Sequence, residues 1–180
     1  MKRTIMSGAF LILIVVLFSG CGTLTYHSQT KPHYLPENTP LKLNITHPVA
    51  IKNVSSKAPG TEEILGSWGA VEVMGSLYDF TESTIGIVKE ALQRNNITID
   101  DKADKRLELS IVKATSIRGF WTFSSDVTLR VKTGSGLEKE YKGLKHHQNG
   151  YSTTRAFEMT MARCVEQMLN DKAIVEYLEK

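Results

Sequence analysis

The sequence predicts an α+β fold: an antiparallel sheet with two main helices packed on one face, preceded by a signal peptide and an extended tether. The stretch 120–132 alternates apolar and polar residues, which is typical of a strand with one buried and one solvated face. The stretches 79–94 and 152–171 instead repeat apolar residues at helical spacing. Several strands combined with two helices in this order indicate an α+β domain.

Residues 1–20 are predicted to be a signal peptide. Lys2 and Arg3 form a positively charged start, and the run from Ala9 to Phe18 contains no polar side chain. A bilayer-spanning helix needs about 20 apolar residues, so this shorter run fits the core of a signal peptide better. A buried core helix would carry a polar stripe, which the run lacks.

The sequence LFSGC, which ends at Cys21, resembles the lipobox of bacterial lipoproteins, with Phe18 where leucine is usual. In that family the cysteine thiol is diacylglycerated, the peptide is cut before it, and the new amine is acylated. The resemblance implies that Cys21 is the lipidation site and the membrane anchor, because two or three acyl chains give stable anchoring. Gly22 in the next position implies the outer membrane, on its periplasmic face. The alternative is a secreted protein with a free Cys21.

The charge of the mature chain argues against a nucleic-acid partner. Removal of residues 1–20 leaves 160 residues with 20 Lys and Arg against 19 Asp and Glu, so the formal net charge falls from +3 to +1. Nucleic-acid binding calls for a concentrated basic face. With Cys21 acylated, Cys164 has no partner for an intrachain disulfide. The domain is therefore expected to be stabilised by its core alone.

Residues 21–40 are predicted to form a lipid-anchored flexible tether. Prolines at 32, 36 and 40 stand among polar residues without apolar periodicity. Because proline fixes φ and lacks an amide donor, the segment should be extended, with a reach of about 25 Å or more from the bilayer. The folded periplasmic domain is predicted to span 41–180.

The first half of this domain is predicted to contain three strands and a helix. Alternating residues place strands at 41–45 and 49–54, and glycines and proline make 55–69 a long loop. A strand at 70–77 leads to the helix, for which Asp79 is the expected N-cap in a capping box with Glu82. Asparagines end this helix at 94–96, because they tolerate the left-handed conformation.

The second half is predicted to contain three strands and a closing helix. The strands are 106–112, 120–132 and 137–144, with a turn at 133–136 and a bulge at Gly143. The helix 152–171 has Glu158 on its outward face, and residues 172–180 form a last turn or helix. The inward face of the helix 152–171 is formed by Phe157, Met161, Cys164, Met168 and Leu169.

No pattern in the sequence predicts an active site, a metal site or a cofactor. His146 and His147 are adjacent, so in a strand they point to opposite faces and cannot chelate one metal ion well. Cys164 lies in the apolar stripe of the closing helix, where a buried thiol is usually inert. The sequence therefore predicts a protein without catalytic residues.

The stretch 70–178 resembles the YajG-like periplasmic lipoproteins. The resemblance is carried by DFTESTIGIVKEALQRNNITI, a helix flanked by strands, by SSDVTLRVKTGSGLEKEYKG, and by the ending NDKAIVEYLEK. It implies a periplasmic domain anchored in the outer membrane, with no known catalytic residues. Fold resemblance of this kind does not identify a partner.

The predicted function is a non-catalytic binding or assembly module of the cell envelope, with an envelope protein as its partner. Leu65 and Trp68 in the 55–69 loop are the candidate partner-binding residues, since exposed apolar side chains on a loop can dominate binding. The alternative is that Trp68 caps the sheet. Two other functions stay open: an activator or accessory of a peptidoglycan enzyme, and a structural homo-oligomer. A second candidate surface is the polar strand face around Thr122, Ser124, Thr128 and Arg130.

Overall fold

The computed structural model describes residues 24–27, 43–118, 122–148 and 153–180. The signal peptide and Cys21 lie outside the described residues. Within them, no helix has the length and apolar character needed to cross a bilayer. The elements are, in chain order, β1 (Leu24–His27), β2 (Val49–Asn53), β3 (Glu63–Trp68), β4 (Val71–Gly75), α1 (Leu77–Arg94), β5 (Lys105–Arg118), β6 (Thr122–Thr133), β7 (Glu138–Gln148), α2 (Thr153–Leu169) and α3 (Lys172–Glu179).

The strands form two sheets. The large sheet has the order β2-β5-β6-β7, with β2 parallel to β5 and the other pairs antiparallel. The small sheet has the order β1-β4-β3, with β1 parallel to β4 and β3 antiparallel to it. Antiparallel pairing predominates, and the α+β class predicted from the sequence is confirmed. The parallel pair of β2 and β5 requires a long crossover, which β3, β4 and α1 provide.

Both main helices pack on the same face of the large sheet. Helix α1 contacts β2 and β5, helix α2 contacts β6 and β7, and the two helices contact each other. The rings of Phe80 and Phe157 meet at that helix contact, with centroids 5.0 Å apart, and both rings are completely buried. This arrangement confirms the predicted placement of two helices on one face.

Helix α1 begins at a different residue from the one predicted. Ser76, not Asp79, is the N-cap: its side chain accepts a hydrogen bond from the Asp79 amide at 3.2 Å. The chain leaves β4 in an extended conformation at Ser76, so the helix can start at once, and Asp79 falls in the first turn. The predicted end is confirmed, because Asn96 adopts a left-handed φ of 59°.

Strand β5 is longer than its partner β2, and its second half has other neighbours. Pairing with β2 covers residues 105–109 only. Beyond it, the Ile111 amide donates to the hydroxyl of buried Thr81 at 2.9 Å. Strand β3 then approaches β5 so closely that a Cβ on Gly66 would lie 2.1 Å from the Ser116 carbonyl oxygen. Only glycine permits this approach, which attaches the small sheet to the large one.

Two predictions about strands and loops are wrong. Residues 43–45 of the predicted first strand are not in a strand, and part of the predicted 55–69 loop is β3. Strand β3 forms because β4 follows it after the turn Gly69–Ala70, so that the two pair as a hairpin. The strand signal of β3 is weak because a register shift between Ile64 and Gly66 interrupts its alternation.

Gly143 has a different role from the one predicted. The register of β6 and β7 runs through Val127 and Gly143 without a shift, so there is no bulge at this position. A Cβ on Gly143 would instead lie 2.6 Å from the Thr160 carbonyl oxygen and 3.0 Å from the Cys164 sulfur. The glycine therefore allows α2 to pack directly on β7.

The inward face of α2 matches the prediction, but its outward face does not. The predicted inward side chains are all buried, yet Glu158 is also buried, with 7% of its surface exposed. Helix α2 contacts both the large sheet and α1, so its buried stripe is wider than that of an ordinary surface helix. Arg163 is exposed on the same helix.

Candidate functional site

The candidate site lies at the end of the small sheet where β1 begins, three residues after Cys21. Leu24 at the start of β1 pairs with Val71 of β4, and Val71 pairs with Trp68 of β3. These three residues therefore form one row across the sheet. The predicted tether over 21–40 is wrong for Leu24–His27. This segment is a strand, because it pairs with the edge of β4 that β3 leaves open.

The other end of β1 is held by a side-chain contact. His27 Nδ1 lies 2.7 Å from Glu62 Oε2, and Glu62 immediately precedes β3. The contact therefore joins the two outer strands of the small sheet. Both side chains are well exposed, so its contribution to stability is modest compared with the backbone pairing.

The structure separates the two candidate partner-binding residues. Leu65 is only 2% exposed and lies against Gly75 beside the Phe80 ring, so it belongs to the core. This corrects its predicted place on an exposed loop: the register shift makes Leu65 the extra residue of β3 and turns it inward. Trp68 is 49% exposed at the end of β3, so about half of its surface is open to solvent.

Ile64 is the most exposed apolar side chain of β3, yet it does not extend the surface around Trp68. Ile64 is 58% exposed and pairs with Met74, whereas Trp68 pairs with Val71. Met74 and Val71 are three residues apart on β4, so they point to opposite faces of the sheet. Ile64 and Trp68 therefore lie on opposite faces as well.

The predicted polar face of β6 is largely solvated and carries several ion pairs. Arg130 contacts Glu140 at 3.0 Å, and Lys113 contacts Asp126 at 2.8 Å. Thr128 departs from the prediction, since it is only 5% exposed. Its cross-strand neighbours are lysines on both sides, whose long stems can cover it. Ser124 is half-buried, and the side chain of Thr122 lies outside the described residues.

Cys164 is placed as the sequence predicts, inside the core. The thiol is completely buried and donates weakly to the carbonyl oxygens of Val127 and Tyr141, at 3.7 and 3.6 Å. Burial raises the pKa of Cys164 to about 12. The thiol is therefore protonated at neutral pH and does not have the properties of a nucleophile.

A cluster around Asp171 is the main polar feature that the sequence analysis missed. Asp171 Oδ2 accepts from Lys139 Nζ at 2.7 Å and from the Tyr141 hydroxyl at 3.0 Å, while Oδ1 accepts from the Ala173 amide at 2.9 Å. Burial tends to raise the pKa of Asp171, but these hydrogen bonds outweigh it and lower the pKa below its ordinary value.

The Asp171 cluster has a structural role. Asp171 is the N-cap of α3, so the cluster joins that helix to β7. Burial, followed by the neighbouring Asp171 carboxylate, raises the pKa of Tyr141 above its ordinary value, so the phenol stays protonated as a donor. The sequence signal for this role is an aspartate directly before an apolar helix, which is typical of an N-cap.

A shallow cleft of about 220 Å³ lies elsewhere, lined by His47, Pro48, Asp104, Lys105 and Lys180. Small-molecule sites usually enclose about 300–1,000 Å³, so this cleft is below the usual size. Across the described ranges, no group of three or more His, Cys, Asp and Glu side chains is arranged to bind a metal ion.

The backbone is similar to those of several solved structures. A Xanthomonas campestris protein of family DUF330 has a TM-score of 0.44 at 10% identity, covering 86% of this chain and 92% of that chain. An uncharacterized protein has a TM-score of 0.41 at 6% identity, covering 82% and 94%. A minor lipoprotein from Acinetobacter baumannii has a TM-score of 0.38 at 10% identity, covering 73% and 93%.

No protein-family model matches this chain, and no curated protein matches it in sequence. The structural likenesses are weak and concern the course of the backbone alone. The resemblance to the YajG-like lipoproteins therefore stays a prediction from the sequence.

Proposed function

We propose that this protein is a bacterial envelope lipoprotein, anchored through acylated Cys21 to the periplasmic face of the outer membrane, and that its domain is a non-catalytic binding or assembly module. The observation that carries the proposal is the LFSGC motif placed directly before the folded domain. Strand β1 starts three residues after the cysteine, so acyl chains on Cys21 would attach the domain to the membrane without a long spacer.

Within the part of the chain that the structure describes, Cys164 and Asp171 are two groups of a catalytic type that are engaged in packing. The Cys164 thiol is buried and protonated, and the Asp171 carboxylate is occupied by Lys139, Tyr141 and the start of α3. Such an arrangement supports a binding role, because a nucleophile or general base must be reachable by its substrate.

The outer face of the large sheet is the surface best suited to a protein partner. Both main helices pack on the opposite face. On the outer face, ion pairs such as Arg130–Glu140 alternate with exposed apolar side chains, of which Ile117 is 65% and Leu144 is 52% exposed. Apolar anchors within a polar surround are typical of protein interfaces.

The anchor is tested by the variant Cys21→Ser. Loss of the thiol should abolish acylation and leave an uncleaved or soluble chain, as shown by membrane fractionation and by the mass of the mature N-terminus. Cys164→Ser is the matched control, and it should leave acylation unchanged. A Cys21→Ser chain that still fractionates with membranes as mature protein would refute the proposal.

The binding role is tested by site-specific photocrosslinking in intact cells. A photoreactive residue at Lys142, exposed on β7, should capture one envelope protein that mass spectrometry identifies. The same residue at Arg163, exposed on α2, is the control and should not capture that protein. Equal capture at both positions would exclude the outer face as the partner-binding surface. Capture of a second copy of the chain would indicate a homo-oligomer instead.

A further inference from the structure

Resting on the proposed acylation of Cys21, we propose that the β3–β4 hairpin end docks on the bilayer interface that receives the acyl chains. This membrane-facing end consists of Trp68, the turn Gly69–Ala70, and Val71. The proposal assigns the exposed Trp68 to a lipid surface and not to the protein partner.

The link between Cys21 and the start of β1 is short, which keeps the hairpin end near the anchor. Three residue steps separate Cys21 from Leu24, so the connecting chain spans at most about 11 Å. Leu24 pairs with Val71, and Val71 with Trp68. With strands about 4.8 Å apart, the backbone of Trp68 lies roughly 10 Å from that of Leu24. The row that begins next to the acylated cysteine therefore ends at Trp68.

The direction of the strands is the second argument. Strand β1 runs away from the anchor in the same direction as β4, and β4 leads to the buried residues Gly75 and Leu77. The opposite end of β4 carries the exposed turn Gly69–Ala70. The core therefore lies at the far end of the small sheet, and the hairpin end lies on the side of the anchor.

The composition of this end is the third argument. Two stretches of the sequence meet at this end, 21–26 with the start of β1 and 64–71 with the end of β3, and neither contains a charged side chain. Trp68 is 49% exposed there. Tryptophan is enriched at membrane interfaces, because its large ring is apolar at one end and polar at the other. The headgroup layer of one leaflet is about 5–8 Å thick, so an indole at the tip of the domain can enter it.

The proposal is tested by quenching of tryptophan fluorescence by lipid. The acylated mature chain is reconstituted into phosphatidylcholine vesicles with brominated acyl chains, using Trp121→Phe so that Trp68 is the only tryptophan. The control carries Trp68→Phe, Trp121→Phe and Arg163→Trp, which puts the probe on the exposed side of α2. Because Trp68 is placed in the interface, we expect its quenching to exceed that of the control by about twofold or more.

A second probe keeps the test valid if Trp121→Phe does not fold. Ala70→Cys, labelled with a polarity-sensitive fluorophore, reports on the exposed turn with both tryptophans in place, and buried Cys164 does not compete for the label. Emission that shifts to shorter wavelength on vesicle binding supports the proposal. The reference is the labelled non-acylated chain that begins at Gly22, which has no thiol at position 21, measured without vesicles. Emission on vesicles that equals this reference overturns the proposal.

Lengthening the link tests why the end docks. About 20 Gly and Ser residues between Gly22 and Thr23 give a mean reach near 25 Å. Quenching of Trp68 should then fall to the level of the control, while the acyl mass and the vesicle binding stay the same. Quenching that survives the insertion overturns the assignment of docking to the short link.

Failure of this inference can be separated from failure of the proposed function. A mature chain whose mass lacks acyl groups overturns the lipoprotein proposal itself. An acylated, vesicle-bound chain with Trp68 quenched no more than the control overturns only the docking. A photoreactive residue at position 68 that captures an envelope protein in cells also overturns it, because the end would then be a protein interface.

Discussion

At the scale of single residues, the buried hydroxyl of Thr81 accepts a hydrogen bond from a strand amide that has no partner strand on that side. Strand β2 ends its pairing at Leu109, and the next free amide of β5, that of Ile111, donates to Thr81 Oγ1. The same hydroxyl donates to the Leu77 carbonyl at 2.7 Å within α1. A buried amide without a partner is costly, so this hydroxyl replaces a missing strand.

We expect Thr81→Val to lower the free energy of unfolding by about 1–3 kcal/mol, because the Ile111 amide loses its acceptor. Urea unfolding followed by circular dichroism measures the change. Thr84→Val is the matched control: Thr84 is equally buried, but its hydroxyl donates to the Phe80 carbonyl of its own helix and not to a strand amide of the described residues. Equal losses for the two variants would contradict the role of Thr81.

Asp171 links stability to pH through its lowered pKa. A carboxyl whose pKa is lower in the folded than in the unfolded state stabilises the fold above its unfolded pKa, near 4. That contribution is lost as pH falls through the folded value. Lys139 is the charged partner in this cluster.

We therefore expect Asp171→Asn to be less stable than the natural chain at pH 7, with a difference that shrinks as the pH falls below about 4. Asparagine caps a helix about as well as aspartate, so the variant isolates the contribution of charge. Urea midpoints measured at both pH values give the result. A difference that does not depend on pH would show that the ion pair with Lys139 contributes nothing.

At the scale of elements, Leu65 and Trp68 of β3 differ sharply in solvent exposure. Leu65 faces the core at 2% exposure, whereas Trp68 is half-exposed at the hairpin end. The register shift between Ile64 and Gly66 creates this difference within one short strand.

We expect Leu65→Ala to cost about 2–5 kcal/mol and Trp68→Ala to change stability far less, because only the first leaves a buried cavity. Thermal and urea unfolding of the non-acylated domain measure both. If Trp68→Ala were as destabilising as Leu65→Ala, the indole would be part of the core, and the proposed membrane-facing end would lose its anchor residue.

At the scale of the whole molecule, the two helices act as one layer. The Phe80–Phe157 contact connects α1, which covers β2 and β5, to α2, which covers β6 and β7. The Asp171 cluster and α3 then close the sheet at β7. The core is therefore continuous from one edge of the large sheet to the other.

Phe157→Ala should lower the free energy of unfolding by about 3–5 kcal/mol, since the ring is fully buried between the layers. Because the core is continuous, unfolding should remain a single transition that circular dichroism and fluorescence report together. Arg163→Ala on the exposed side of α2 is the control and should change little. Separate transitions in the two signals would mean that the two halves fold independently.

Features that depend on local patterns can be predicted from the amino-acid sequence alone. The period-two stretch of β6 and the apolar stripes of α1 and α2 identify their own buried faces, because each face follows from residue spacing alone. The core positions Val127, Leu129 and Val131, and the buried Cys164, are placed as predicted. The lipobox resemblance at Cys21 also rests on a short local motif, and it stays a prediction.

Features that depend on a distant partner are set by tertiary contacts and could not be predicted from local patterns. Leu24–His27 has too few residues to predict a strand, and it becomes one because β4 offers an unpaired edge. Glu158 is buried on a helix that packs against both the large sheet and α1. Leu65 turns inward because β3 shifts its register against β4. In each case the deciding contact is absent from the local sequence, since backbone pairing and layer packing join segments that are far apart in the chain.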